Sequence, residues 1–256
     1  QLQKQEETAL MPYITAGDPT LEFSKKLIKK LEASGADMIE LGVPYSDPLA
    51  DGPTIQQAAQ RALSAGADLE QIFGLIKEVR TEVEIPIILM GYYNCFYKYG
   101  LEEVVSKAEE VGVDGLIIPD LPPEEASEVE KFKTGDQLSS IFLLTPTSSE
   151  KRMELINRQS DGFIYCVSTL GVTGARSELS SQLQGFLDKV RQHSNHPLAV
   201  GFGISTPKQA AQVAEYAEGV IVGSAIIDRI ADNLNQGEEV MLREVSNLVE
   251  NLKKGL

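Results

Sequence analysis

Three observations predict a single (β/α)8 barrel, the TIM-barrel architecture. Eight short β-branched or apolar runs recur along the 256 residues, amphipathic helical stretches lie between them, and no Pro/Gly/Ser-rich linker or change of composition divides the chain. Such alternation marks parallel βαβ units, and eight of them in about 250 residues fit one closed barrel better than two doubly wound halves. Residues 1–256 are therefore expected to form one domain.

The expected strands occupy 9–16, 38–44, 86–90, 115–119, 140–145, 162–168, 198–204 and 219–221, several bounded by Gly or Pro as strand ends often are. Among the intervening stretches, 21–33, 101–110, 124–133, 179–191 and 208–216 place apolar residues three and four apart with charges between. That is the pattern of helices packed on one face. The second crossover, 54–84, is extended relative to the others, and Gly66 breaks it into two helical pieces. A C-terminal helix over 238–254, with Val245, Leu248, Val249 and Leu252 on its apolar stripe, is expected to seal the barrel.

With 42% hydrophobic and 24% charged residues the chain can bury a full core. Its 23 Lys and Arg against 38 Asp and Glu give a net charge of −15. That field repels phosphodiester backbones and anionic lipid, so neither nucleic acid nor a membrane surface is an expected partner. No apolar run approaches the roughly 20 residues that cross a bilayer, and residues 1–8 lack the apolar core of a secretory signal. A cytoplasmic location is expected, or an organelle stroma after removal of a targeting segment. Cys95 and Cys166 stand in no metal-ligand spacing and read as reduced thiols, Cys166 as a small core residue. The two histidines, His193 and His196, share one polar stretch, which argues against a zinc site or a Ser-His-Asp triad.

In such barrels the chemistry sits on the loops after the C-terminal ends of the strands, while the opposite rim serves stability. Glu40 interrupts an apolar strand there. By the two-residue period it points away from Ile39 and Leu41, so if those two face the helices, Glu40 faces the interior. A desolvated carboxyl holds its proton more tightly, which suits a general acid or base near neutral pH. A buried Glu paired with Lys or Arg for structure is an equal alternative from position alone. The following loop adds Asp47 and Asp51 in a stretch stiffened by Pro44, Pro48 and Pro53, although both aspartates also suit ordinary turns.

Three glycine clusters follow the last three strands: Gly171 and Gly174, Gly201 and Gly203, then Gly223 with Ser224. Glycines let a ligand approach the backbone, and amides at helix starts bind phosphate without cationic side chains, which fits an acidic protein. Arg176 is a candidate for added charge. Tyr92, Tyr93, Phe96, Tyr97 and Tyr99 cluster after the third strand, as packing or as a pocket or interface on the active rim. These residues describe a phosphate-binding barrel enzyme that uses carboxylates. They leave aldol cleavage, isomerisation and epimerisation open.

Six segments then carry a resemblance: Pro12-Tyr-Ile-Thr-Ala-Gly-Asp-Pro19, Glu40-Leu-Gly-Val-Pro-Tyr-Ser-Asp-Pro-Leu-Ala-Asp-Gly-Pro53, Pro119-Asp-Leu-Pro122, Gly171-Val-Thr-Gly174, Gly201-Phe-Gly-Ile-Ser205 and Gly223-Ser-Ala225. In this order, over nearly the whole chain, they resemble the tryptophan synthase α-subunit family. The resemblance implies a lyase of tryptophan biosynthesis that splits indole-3-glycerol phosphate into indole and glyceraldehyde 3-phosphate without metal or organic cofactor. It implies Glu40 as the acid/base group, Asp51 as the carboxylate on the indole N–H, and Tyr165 beside them. Tyr13, Tyr92, Thr173 and Phe202 would line the substrate pocket. The phosphate would rest on Gly171, Gly174, Gly201, Gly203, Gly223 and Ser224. It implies a pyridoxal-phosphate-dependent β subunit as partner in an α2β2 assembly, met through Asp47, Pro48, Tyr93 and Asn94. A free-standing indole-releasing lyase, another phosphate-binding barrel isomerase and a non-catalytic activator subunit are the alternatives.

Overall fold

The computed structural model describes residues 8–168, 176–201 and 203–256, the side chains of 176–181 excepted. The chain runs β1 (Ala9–Thr15), α1 (Leu21–Ala33), β2 (Ile39–Gly42), α2 (Pro53–Ser64), α3 (Leu69–Val79), β3 (Ile87–Met90), α4 (Tyr93–Tyr99), α5 (Leu101–Val111) and β4 (Gly115–Ile117). It continues through a 3-10 turn (Pro123–Glu125), α6 (Ser127–Glu130), β5 (Ser139–Ile141), β6 (Leu143–Leu144), α7 (Glu150–Gln159), β7 (Ile164–Val167) and α8 (Arg176–Arg191). The last elements are β8 (Leu198–Gly201), α9 (Pro207–Ala214), β9 (Gly219–Val222), α10 (Ser224–Asp232), a second 3-10 turn (Leu234–Gln236) and α11 (Glu238–Lys253).

All pairings are parallel, in the order β5-β4-β3-β2-β1-β9-β8-β7-β6. The two end members are halves of one strand interrupted only at Phe142, so the sheet closes on itself as a (β/α)8 barrel. Alternate side chains divide the core in two, as the pleat requires. Ala9, Met11, Ile88, Ile117, Ile141, Phe163, Ala199 and Ile221 fill the interior. Leu10, Ile14, Ile39, Leu41 and Leu89 pack outward against the helices.

The helices attach unequally. α3 opens on a capping box of Asp68 and Gln71 and buries Leu69, Ile72, Phe73, Leu75, Ile76 and Val79, each large apolar side chain contributing roughly 1.5–3 kcal/mol. Neighbouring α2 buries only Ala58, Ala59 and Ala62. Together they fill the extended second crossover, separated near Gly66, whose φ of +87° is a conformation glycine adopts without strain.

One expected helix is shorter than the pattern implied. Stretch 124–133 forms a 3-10 turn and the single turn of α6, not a continuous helix. Glu124, Glu125, Glu128 and Glu130 crowd like charges onto its few turns, and Lys133, which pairs with Glu130, is shared with Ser140 and Asp161. Several strands also stop earlier than expected, β2 at Gly42 and β8 at Gly201, because the apolar runs continue into loops over the barrel mouth.

The N-terminal rim carries a repeated stitch. Just ahead of β2, β4, β7 and β9 stand Asp37, Asp114, Asp161 and Glu218, and each accepts a backbone N–H from a neighbouring strand: Leu10, Ile87, Ser140 and Leu198 respectively. Each also meets a cation: Lys253 at 2.8 Å, Arg80, Lys133 at 3.3 Å and Arg191 at 2.6 Å. Four alternate strands are thereby fastened to their neighbours by the same device. Among the described residues no helix is long and apolar enough to cross a membrane.

Candidate active site

A cavity of about 630 Å³ opens at the C-terminal ends of the strands. Tyr13 from β1, Glu40 from β2, Asp51 from the next loop and Tyr165 from β7 line it, and at its other side stand Gly203, Gly223 and Ser224. Met90, Ile221 and Ile55 supply apolar wall. These three were not singled out in the sequence, although the inward parity of β3 and β9 was there to mark Met90 and Ile221.

Glu40 is 4% exposed and sits in register with Tyr13 on one side and Ile88 on the other. Its neighbours Ile39 and Leu41 belong to the outer layer. Among the described residues no lysine or arginine forms an ion pair with it. Burial first, and the charge of Asp51 second, push its carboxyl up from the ordinary 4.5 to about 8. At neutral pH this carboxyl holds a proton. Asp51 is half-buried and is also raised by burial, but a hydrogen bond from the Tyr92 hydroxyl opposes that shift and favours its charged form. Two acids in one cavity thus stand in different surroundings, Asp51 with a hydrogen-bond donor to its charged form and Glu40 with burial and a neighbouring acid against it.

Tyr92 does not line the cavity itself. Its ring packs at a tilt of 33° against Tyr45, with centroids 5.3 Å apart, and its hydroxyl accepts from the Ala50 amide at 2.9 Å. From there it props the loop that carries Asp51. Tyr165 is buried and Tyr13 half-buried, and desolvation raises both hydroxyls above their usual range. Each ring lies over a glycine: a Cβ at Gly42 would collide with Tyr13 and one at Gly201 with Tyr165. Gly201 therefore makes room for a tyrosine and does not touch the cavity, unlike Gly203, which lines it with φ of +78°. No side chain caps α10, so its first amides, at Ser224 and Ala225, face the cavity unclaimed by the helix. Gly171, Thr173, Gly174 and Phe202 lie outside the described residues, as does the side chain of Arg176.

The rim beside the site carries Leu49 at 94% exposure and Tyr97 at 65%. Asp47 accepts from the Ser46 hydroxyl at 2.5 Å, with Pro48 following, while Asn94 donates to Tyr45 at 3.1 Å and the Tyr93 amide donates to Asp120 at 2.8 Å. The aromatic cluster is partly a helix, α4, in which Phe96 is fully buried beneath Gly91 and Tyr93 stacks on Tyr97. His196 directs its ring nitrogens to the carbonyls of Gly162 and Asn157 at the far rim, away from the site.

A family model described as tryptophan synthase alpha chain matches residues 1–256. The tryptophan synthase alpha chain of Geotalea uraniireducens is 51% identical over 255 residues, covering 100% of this chain and 94% of the relative. The chain belongs to the tryptophan synthase α-chain family. That of Alkaliphilus metalliredigens is 47% identical over 251 residues, 98% of this chain and 93% of the relative. Among solved structures, tryptophan synthase subunit alpha from Legionella pneumophila superposes with a TM-score of 0.91 at 40% identity, over 99% of this chain and 94% of that one. A chain from the tryptophan synthase a2b2 complex of Pyrococcus furiosus superposes with a TM-score of 0.88 at 35% identity, over 96% and 98%. A member of the tryptophan synthase α-chain family is a lyase of tryptophan biosynthesis, and in this chain the mouth of the barrel holds Glu40 and Asp51.

Proposed function

We propose that this cavity is where the chain, a carbon–carbon lyase of the tryptophan synthase α type, splits indole-3-glycerol phosphate into indole and glyceraldehyde 3-phosphate. The observation that carries the reading is Glu40, a buried carboxyl without a cationic partner among the described residues, sharing a cavity with the more exposed Asp51. Cleavage needs a proton delivered to ring carbon 3, breakage of its bond to the glycerol chain, and removal of a proton from the adjacent hydroxyl as that carbon becomes an aldehyde. Glu40 enters protonated, gives its proton to carbon 3, and as the carboxylate takes the hydroxyl proton back. The ring nitrogen becomes electron-poor once carbon 3 is protonated, and ionised Asp51 accepts its N–H. Tyr13, Tyr165, Met90 and Ile221 enclose the ring, with Tyr92 holding Asp51 from behind. Gly203, Gly223 and Ser224 hold the phosphate at the start of α10, together with Gly171 and Gly174, while Thr173 and Phe202 belong to the substrate pocket.

Asp47, Pro48, Tyr93 and Asn94, with Leu49 and Tyr97 exposed between and beside them, form the face that meets a β subunit in an α2β2 assembly. Large apolar side chains left in water beside an active rim support that assignment. The working location is the cytoplasm or an organelle stroma.

The test is incubation with indole-3-glycerol phosphate, with and without an added β subunit, following indole fluorescence against a chain that contains no Trp. Indole release is expected in both cases, faster with the partner. No indole in either case would remove the reading.

A further inference from the structure

Asp18 is a charged side chain sealed from solvent, 0% exposed, in the loop between β1 and α1. Arg61, near the end of α2, grips both of its oxygens, Nε to one at 2.7 Å and Nη2 to the other at 2.8 Å. A planar, two-bond pairing of this kind fixes orientation as well as distance. Neither residue lines the cavity, and the reading above makes no use of them.

What the pair holds is α2. This helix has little apolar grip, three buried alanines and the half-buried Ile55 against the six larger side chains of α3, so the ion pair adds to what packing supplies. The small residues are themselves part of the fit: Gly17, with φ of +86°, approaches so closely that a Cβ there would meet Ala62 at 3.4 Å and overlap Ala67 at 2.5 Å. The same turn is fixed from the other side, since the Gly17 amide donates to Ser24 at 2.9 Å.

At its opposite end α2 reaches the site. Gly52 is its N-cap and Pro53 its first residue, directly after Asp51. The Gln56 side-chain amide donates to the Asp51 carbonyl at 2.9 Å, and Thr54 donates to Asp228 on α10 at 3.1 Å. A continuous line of bonds therefore runs from Asp18 through Arg61 and the helix to the backbone of Asp51. Resting on the assignment of Asp51 to the indole N–H, we infer that Asp18 and Arg61 are positioning residues for the reaction: they set α2, and through it the placement of Asp51 against the ring.

Misplacing a catalytic group by about 1 Å costs on the order of a hundredfold in rate. The experiment measures indole-3-glycerol phosphate cleavage by R61Q and R61K, each alone and combined with D51N, beside R80Q, which breaks a stitch of similar chemistry at the opposite rim. R61Q should lower kcat roughly 10- to 100-fold, and R61K, which keeps the charge but not the fork, by about threefold to tenfold. KM should move less than twofold, and inhibition by glyceraldehyde 3-phosphate should be unchanged. In the D51N background neither Arg61 substitution should lower kcat further, because the group it positions is already lost. R80Q should unfold at a lower temperature with kcat intact. If R61Q does not fold, R61K carries the test. Wild-type kcat in R61K, or an equal loss with and without Asp51, would overturn the inference. Absence of indole from the unaltered chain would instead sink the reading of the site on which it rests.

Discussion

At the N-terminal rim Asp37, Asp114, Asp161 and Glu218 each take a strand amide and a lysine or arginine. At the C-terminal rim Glu40 and Asp51 have no such cation among the described residues, and burial raises both. The residue types are the same, and the surroundings decide the outcome. A carboxylate supplied with donors stays charged and ties strands together, whereas one desolvated without them keeps a proton that it can lend. The rim alone does not decide it, since Asp18, also at the C-terminal end, is gripped by Arg61; what sets Glu40 apart is that no lysine or arginine among the described residues pairs with it.

Substitutions at the two rims should diverge accordingly. Glu40→Gln keeps size and removes proton transfer, so turnover should fall at least about a thousandfold while phosphate-ester binding survives; steady-state indole release with a product-inhibition series separates the two. Asp51→Asn should cost about a hundredfold in kcat, since a neutral amide accepts the developing N–H charge poorly. Full activity in either would erase the contrast.

A pH series sharpens it. The folded-state value of Glu40, about 8, lies above its ordinary 4.5. Its contribution to stability is therefore complete below about 4.5 and is lost as pH rises through about 8. Denaturant midpoints of the wild type should fall relative to those of Glu40→Gln between pH 5 and 8, by a few kcal/mol in all. At the other rim Asp114→Ala leaves the Ile87 amide without its acceptor and Arg80 without its carboxylate; about 1–3 kcal/mol of stability should go, with kcat unchanged. Smallest of all, Lys25→Ala breaks a surface pair with Glu78, and the melting temperature should not shift measurably.

The strand-helix alternation was legible because buried parallel strands are nearly uninterrupted apolar runs, so the beat survives even where ends are misjudged. The place of Glu40 was legible for a related reason: one acid in an apolar strand has only two directions to face, and Ile39 and Leu41 claim one of them. What stayed hidden was pairing at a distance. Position could not separate an ion-paired Glu40 from a lone one, since that depends on where every cation lands. The stitches left a local trace, an acid directly before glycine at Asp114, Asp161 and Glu218, yet nothing in 114–115 announces Arg80. Tyr92 looked like a pocket wall, and only its bond to the Ala50 amide puts it behind Asp51. The stretch 124–133 misled because Ala126, Val129 and Phe132 keep a helical spacing that its crowded acids cannot sustain.

Lys253, in the last turn of α11, completes the stitch at Asp37, 216 residues earlier. A growing chain can order β1 and β2 side by side, with Asp37 already gripping the Leu10 amide, but this first fastening is complete only once α11, more than two hundred residues further on, has folded back to deliver Lys253.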